Sequence, residues 1–318
     1  MKRLLISGLL CALMISAAGC GGEQPTETGS VLDGLRQEIG TDVSSEGQSQ
    51  QASKEETPQV DLYQEFQKGT AKAKYRGTGD RTSYLEMSKV LEAGKSYTMD
   101  EIAKAIEKVD EYSEFKLSSD VTYSEIDCGE DGVPELLVEA PFGEEFRLCL
   151  ILKEIDGELV ICFAQDGWSR SYVEVEPDGR IISGGSAGAA VHIVDYAYVD
   201  AKGDYQFYYG CEERMTLYGD LYAYVSGEDY KTISTEGLDA EHLGVLDYYF
   251  EADYQNRTHY YSYFVMDDNY NDVTTDEDYD DSNELKKRFT EAGIKTYTRK
   301  EMEQKLTDRA KEIGYPQK

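Results

Sequence analysis

The chain has 318 residues, of which 63 are Asp or Glu and 32 are Lys or Arg, giving a formal net charge of −31. That charge repels phosphate backbones and anionic lipid surfaces, which argues against nucleic acid as a partner and favours cations or basic ligands. Twenty-six tyrosines and a 40% hydrophobic fraction exceed what a disordered chain carries, so a folded core of one or two domains is expected.

Residues 1–19 read as an export signal. Lys2 and Arg3 precede an apolar run from Leu4 to Ala18, and Ala17, Ala18 and Gly19 stand directly before Cys20. At about 15 residues the run falls short of the roughly 20 that cross a ~30 Å hydrocarbon layer. The segment Ala17-Ala18-Gly19-Cys20 resembles the lipobox of bacterial lipoproteins, with Ala17 where leucine is more usual. The resemblance implies that Cys20 begins the mature chain and carries lipid such as palmitate. Partnership with the membrane would then run through that lipid alone, on the outer face of the cytoplasmic membrane. Loss of residues 1–19 leaves 30 basic against 63 acidic residues, a net of −33. Residues 20–60, rich in Gly, Ser, Thr, Gln and Glu, read as a flexible tether with a reach of roughly 35 Å.

Across 61–118 the pattern predicts a helical segment. Ser83 is placed to cap a helix ending at Gly94, and Thr98 with Glu101 forms a capping box ahead of Ile102, Ile106 and Val109. The phrase Lys95-Ser96-Tyr97-Thr98-x-x-Glu101 returns as Lys295-Thr296-Tyr297-Thr298-x-x-Glu301, opening a helix toward Gly314. Two helix starts of one type account for the echo without a duplicated domain.

Over 119–266 the period changes to two. Turn signals recur at Asp131-Gly132, Phe142-Gly143, Asp156-Gly157, Pro177-Asp178-Gly179, Lys202-Gly203-Asp204 and Gly219-Asp220, which predicts an antiparallel β-meander of about eight strands. Met215, Leu217, Leu221, Ala223 and Val225 share one face of the later strands. Tyr222 and Tyr224 take the other, and Tyr196, Tyr198, Tyr205, Tyr208 and Tyr209 lie on neighbouring strands. Such tyrosines either stack on an external ligand or pack as cross-strand neighbours. Export permits disulfides among Cys128, Cys149, Cys162 and Cys211, in three pairings that the sequence does not separate, and buried free thiols are the alternative. With a two-residue turn at Asp156-Gly157, Cys149 falls opposite Ala164 and Cys162 opposite Ile151.

Asp127-Cys128-Gly129-Glu130-Asp131-Gly132-Val133-Pro134-Glu135 is similar to Asp-rich calcium loops. Asp127, Asp131, the Val133 carbonyl and Glu135 would be the metal ligands. Gly129 replaces one carboxylate and Val138 stands where a bidentate Glu belongs, so the expectation is weak calcium binding or a plain acidic turn. The wider phrase, an Asp-Gly loop followed by Pro134-Glu135-Leu136-Leu137 and later by Gly185-Ser186-Ala187-Gly188-Ala189, resembles Gram-positive surface lipoproteins of unknown function. That resemblance spans roughly residues 120 to 225 and implies a fold rather than an activity.

Gly184-Gly185-Ser186-Ala187-Gly188 satisfies the G-x-S-x-G pattern of serine hydrolases. The elbow needs a helix after the serine, whereas Ala189 to Tyr196 reads as a strand, so no catalytic residue is assigned there. Residues 267–318 read as an acidic loop and C-terminal helices. Asp267-x-Asn269-x-Asn271 imitates half of a calcium loop but lacks the glycine at its sixth position, where Asp272 would need a left-handed turn. The fold class expected is α+β, with the C-terminal helices packed on the sheet. The function expected is a non-catalytic extracellular module binding a cell-wall glycan, peptide or protein partner. The rival readings are a wall-associated hydrolase using paired carboxylates and a structural assembly protein.

Overall fold

A computed structural model describes residues 60–77, 85–109, 114–119, 121–144, 146–227 and 229–316. The expected signal, Cys20, the tether to residue 59 and Ser83 lie outside the described residues. Within them the fold is α+β, with fourteen strands in two six-stranded sheets and a two-stranded ribbon, and five α-helices. No helix among the described residues is long and apolar enough to cross a membrane.

The first sheet is built on the hairpins β3 (Thr122–Ile126), β4 (Glu135–Phe142), β5 (Phe146–Ile155) and β6 (Glu158–Gly167), paired in chain order. Asp156 and Gly157 take φ of 53° and 80°, the left-handed conformations that a two-residue hairpin turn demands, and Ile155 pairs with Glu158. The segment 61–118 is only partly helical. The helices α1 (Leu62–Gln67), α2 (Met87–Val90) and α3 (Met99–Ile106) alternate with β1 (Ala73–Tyr75), parallel to β6, and β2 (Ser96–Tyr97), antiparallel to β1. Stretches of two or three residues are too short to show a period of two. They become strands because β6 would otherwise present an open edge.

Both faces of this sheet are covered, which is why β4 to β6 read as nearly continuous apolar runs. Leu136, Val138, Leu148, Leu150 and Ile161 meet Phe66, Met87, Ile102 and Ile106 from the helical segment. On the other face Leu137, Cys149, Ile151, Cys162 and Phe163 meet Ile181, Ala197 and Val199 of the second sheet. A bulge at Cys162 moves the register, so that Cys149 pairs with Gln165 rather than Ala164. All four cysteines among the described residues are free thiols, and Cys128, Cys149 and Cys162 are buried.

The second sheet runs β14 (Tyr260–Val265), β13 (Leu243–Tyr249), β10 (Tyr205–Met215), β9 (Val191–Val199), β8 (Arg180–Gly188) and β7 (Ser171–Val175). Between β10 and β13 the chain leaves it to form the ribbon β11 (Leu221–Ser226) and β12 (Asp229–Ile233). A third apolar cluster joins Leu221, Ala223 and Ile233 of the ribbon to Val245, Tyr261, Tyr263 and to Leu285 and Phe289 of α4 (Glu284–Glu291). Helix α5 (Arg299–Ile313) lies against β10. The Tyr208 hydroxyl donates to the Leu306 carbonyl at 3.0 Å, and the Tyr198 hydroxyl donates to the carbonyl of Ile313.

The meander tyrosines therefore serve mainly as packing: Tyr198 and Tyr208 are buried, Tyr196 stacks on Tyr209 at 4.6 Å, and Tyr205 stacks on Phe163 at 5.7 Å. The two echoed phrases fold alike. Each closes a capping box, Thr98 with Glu101 and Thr298 with Glu301, after an extended entry that pairs with a neighbouring strand.

Candidate ligand-binding site on the second sheet

Residues paired across neighbouring strands share a face. One such row is Asp195, Gly210 and Tyr249, on β9, β10 and β13; the next is Ile193, Glu212, Asp247 and Tyr261. Together they set a polar seam on the sheet face that also carries Ala197 and Val245, members of the second and third apolar clusters. The Tyr249 hydroxyl donates to Asp195 Oδ1 at 2.6 Å across Gly210. A Cβ at position 210 would stand 2.1 Å from the Tyr249 ring and 2.2 Å from the Asp195 carboxylate, so only glycine admits this bond. Burial, and then the neighbouring Asp195 charge, push the Tyr249 phenol well up. The Arg257 guanidinium lies 3.6 Å above the Tyr249 ring and 5.4 Å from that of Tyr254, a cation–π arrangement.

Asp247 is buried and receives three contacts: His259 Nδ1 at 2.8 and 3.0 Å from its two oxygens, and the Tyr261 hydroxyl at 3.1 Å. Burial raises the Asp247 carboxyl above the ordinary range, while the bond and charge of His259 oppose that rise. The His259 side chain is 4% exposed. An ionised carboxylate only accepts hydrogen bonds, so Nδ1 carries a proton and Nε2 is the ring nitrogen left facing away from Asp247.

The ribbon adds rings above this pair. Tyr224 stacks on His259 at 5.8 Å, and its carbonyl accepts the Tyr261 hydroxyl at 2.9 Å. Outward from Tyr224 follow Tyr254 at 6.3 Å, Tyr230 at 6.2 Å, and Tyr222, which lies 5.1 Å from Tyr230. Tyr222 and Tyr230 are 48% and 53% exposed. A run of aromatic rings thus leads from solvent to a buried Asp–His pair. No known protein family, curated protein or solved structure matches this chain. The site is therefore read from its own chemistry.

The expected calcium ligands are arranged otherwise. Asp127 accepts the Gly132 amide at 3.1 Å, and Asp131 accepts the Val133 amide at 2.8 Å. Glu135 points into the core, where it accepts the Cys128 amide at 2.6 Å and pairs with Lys153. Among the described residues no group of three or more His, Cys, Asp or Glu side chains is placed to hold a metal ion. Val133 is 52% exposed. Asp267 likewise closes its own turn by accepting the amides of Asn269 and Asn271, and the left-handed residue is Tyr270 rather than Asp272.

Ser186 lies within β8, the strand β9 rather than a helix follows it as expected, and its hydroxyl donates to the Gly188 carbonyl at 2.7 Å. Its cross-strand neighbour is His192, which in turn faces Glu213 on β10, but no hydrogen bond joins Ser186 to His192. Sequence reasoning singled out Tyr222 and Tyr224 and missed Asp247, Arg257 and His259. The missing signal was register: once Tyr248 is opposite Tyr260, Asp247 and His259 stand diagonally across β13 and the entry to β14.

Proposed function

We propose that the chain is a membrane-anchored extracellular lipoprotein, held through lipid on Cys20, whose folded part is a non-catalytic binding module. Its surface for a wall glycan, wall peptide or protein partner is the tyrosine ribbon β11–β12. The observation that carries this reading is the exposure of Tyr222 and Tyr230 at the outer end of a contiguous run of rings. Aromatic rings of this size are normally buried or packed in pairs against a core, and tyrosines left open to solvent beside one another favour a stacking ligand. At the 127–135 loop Glu135 pairs with Lys153, and the Asp127 and Asp131 carboxylates accept amides of their own loop.

The test is co-sedimentation of the chain, purified from membranes in detergent, with insoluble cell walls. Tyr222→Ala together with Tyr230→Ala should leave the protein folded and abolish sedimentation. Retention of full sedimentation by that double variant would remove the ribbon from the binding surface. Changing Cys20→Ala should separately release the protein from membranes, and a variant that stays bound after a high-salt wash would overturn the lipid anchor.

A further inference from the structure

Two side-chain nitrogens of the seam have no hydrogen-bond partner among the described residues: His259 Nε2 and Arg257 Nε. Both are buried atoms, two residues apart on the segment entering β14, and each belongs to a side chain already packed on tyrosine rings. Leaving such a group without a partner costs on the order of 1–3 kcal/mol, and buried polar atoms of native proteins are otherwise almost always satisfied. Around them Asp247 takes His259 Nδ1 and Tyr261, and Asp195 takes Tyr249 through its Oδ1.

The two nitrogens differ in kind. Arg257 Nε–H can only donate, whereas His259 Nε2 accepts on a neutral ring and donates on a protonated one. A carboxylate or phosphate ligand would meet the charges of Asp195, Glu212 and Asp247. An ammonium ligand would meet the Arg257 guanidinium. Hydroxyl groups both donate and accept, and a pyranose ring adds an apolar face of the kind that stacks on tyrosine.

We infer that His259 Nε2 and Arg257 Nε form the polar floor of a subsite for a neutral saccharide, which reaches them from the tyrosine ribbon. This rests on the reading of the ribbon as the binding surface and narrows its ligand to an uncharged glycan. Tyr224 stacks on His259 and is tied through its carbonyl to Tyr261, so this residue must shift for the sugar to enter.

The experiment is nitrogen-15 NMR of the histidine rings in the whole chain in detergent, titrated at pH 8 with a tetramer of N-acetylglucosamine. Three histidines make assignment simple, with His192→Gln and His242→Gln removing the other two signals. Hydrogen-bond acceptance from a sugar hydroxyl should move the Nε2 resonance of His259 and leave His192 and His242 in place. Arg257→Met keeps the methylene stem on Tyr249 while deleting the donor, and should weaken tetramer binding about tenfold.

An unmoved Nε2 signal at saturating tetramer, with tyrosine-dependent wall sedimentation intact, overturns this inference alone and leaves a satisfied or water-bound pair. The saccharide subsite fails equally if a wall peptide moves Nε2 and the tetramer does not. Loss of both tetramer binding and wall sedimentation overturns the ribbon reading as well. Because the signal is read in the unsubstituted protein, a misfolded variant cannot imitate either result.

Discussion

The two sheets bury their side chains in opposite styles. In the first, β4 to β6 contribute Leu, Ile, Val, Phe and Cys to apolar layers on both faces, and its deepest polar group, Glu135, is matched by Lys153. In the second, the central strands bury Asp195, Asp247 and Tyr249 beside His259 and Arg257, and His192 Nδ1, Arg257 Nε and His259 Nε2 remain without hydrogen-bond partners among the described residues. A sheet packed on both sides by hydrocarbon gains stability from area and can do little chemistry. A seam of hydrogen-bonded polar groups between apolar clusters adds less stability but holds side chains in fixed orientations. On this contrast the first sheet suits the part of scaffold and the second that of recognition.

The sharpest way to break that division is Lys153→Met, which leaves Glu135 fully buried without its cation. Removing one partner of a buried pair costs about 3–5 kcal/mol, so urea unfolding should shift by that amount while the folded fraction still binds walls. Loss of binding without loss of stability would show that the first sheet is more than scaffold. Gly210→Ala strikes the second sheet by driving a methyl into Tyr249 and Asp195. Overpacking of this kind costs about 1–3 kcal/mol, and here saccharide binding should fall with stability because Tyr249 carries Arg257.

Glu213 sharpens the electrostatic side of the comparison. Burial raises its carboxyl above the ordinary glutamate range, opposed by the nearby His192. The folded state therefore holds this proton more tightly than the unfolded chain. Its cost to stability is absent below the unfolded value near pH ~4, grows as pH climbs toward the raised folded value, and stays constant above it. Glu213→Gln should accordingly be more stable than the parent near neutral pH, with the gain vanishing below about pH 4 in parallel urea titrations. A gain that persists in acid would trace to packing rather than charge. The smallest effect on stability belongs to Tyr222→Ala with Tyr230→Ala, within about 0.5 kcal/mol per exposed site by thermal melting, although wall binding should disappear.

Much of the scaffold was legible in the residues themselves. Asp156-Gly157 fixes a hairpin because few side chains tolerate two consecutive left-handed residues, and both Thr-x-x-Glu phrases cap helices because their partners lie three residues apart. Local chemistry suffices wherever cause and effect lie within one turn. Long-range contacts compete with local ones elsewhere, as at Glu135, whose carboxylate turns inward to Lys153, 18 residues away.

What the sequence by itself determined is therefore the class of fold, most of the hairpin turns, the two Thr-x-x-Glu helix starts and an acidic, tyrosine-rich composition. The tertiary structure alone decided which tyrosines are buried under α5 and which stay open on the ribbon. It also decided that β1 joins β6 and that Asp247, His259 and Arg257 meet. Those outcomes depend on strand register and, for Tyr208 under α5, on the irregularity in β10 between Phe207 and Tyr209, and a displacement of one residue transfers a side chain to the opposite face. No period within a single strand records which face its neighbour will cover.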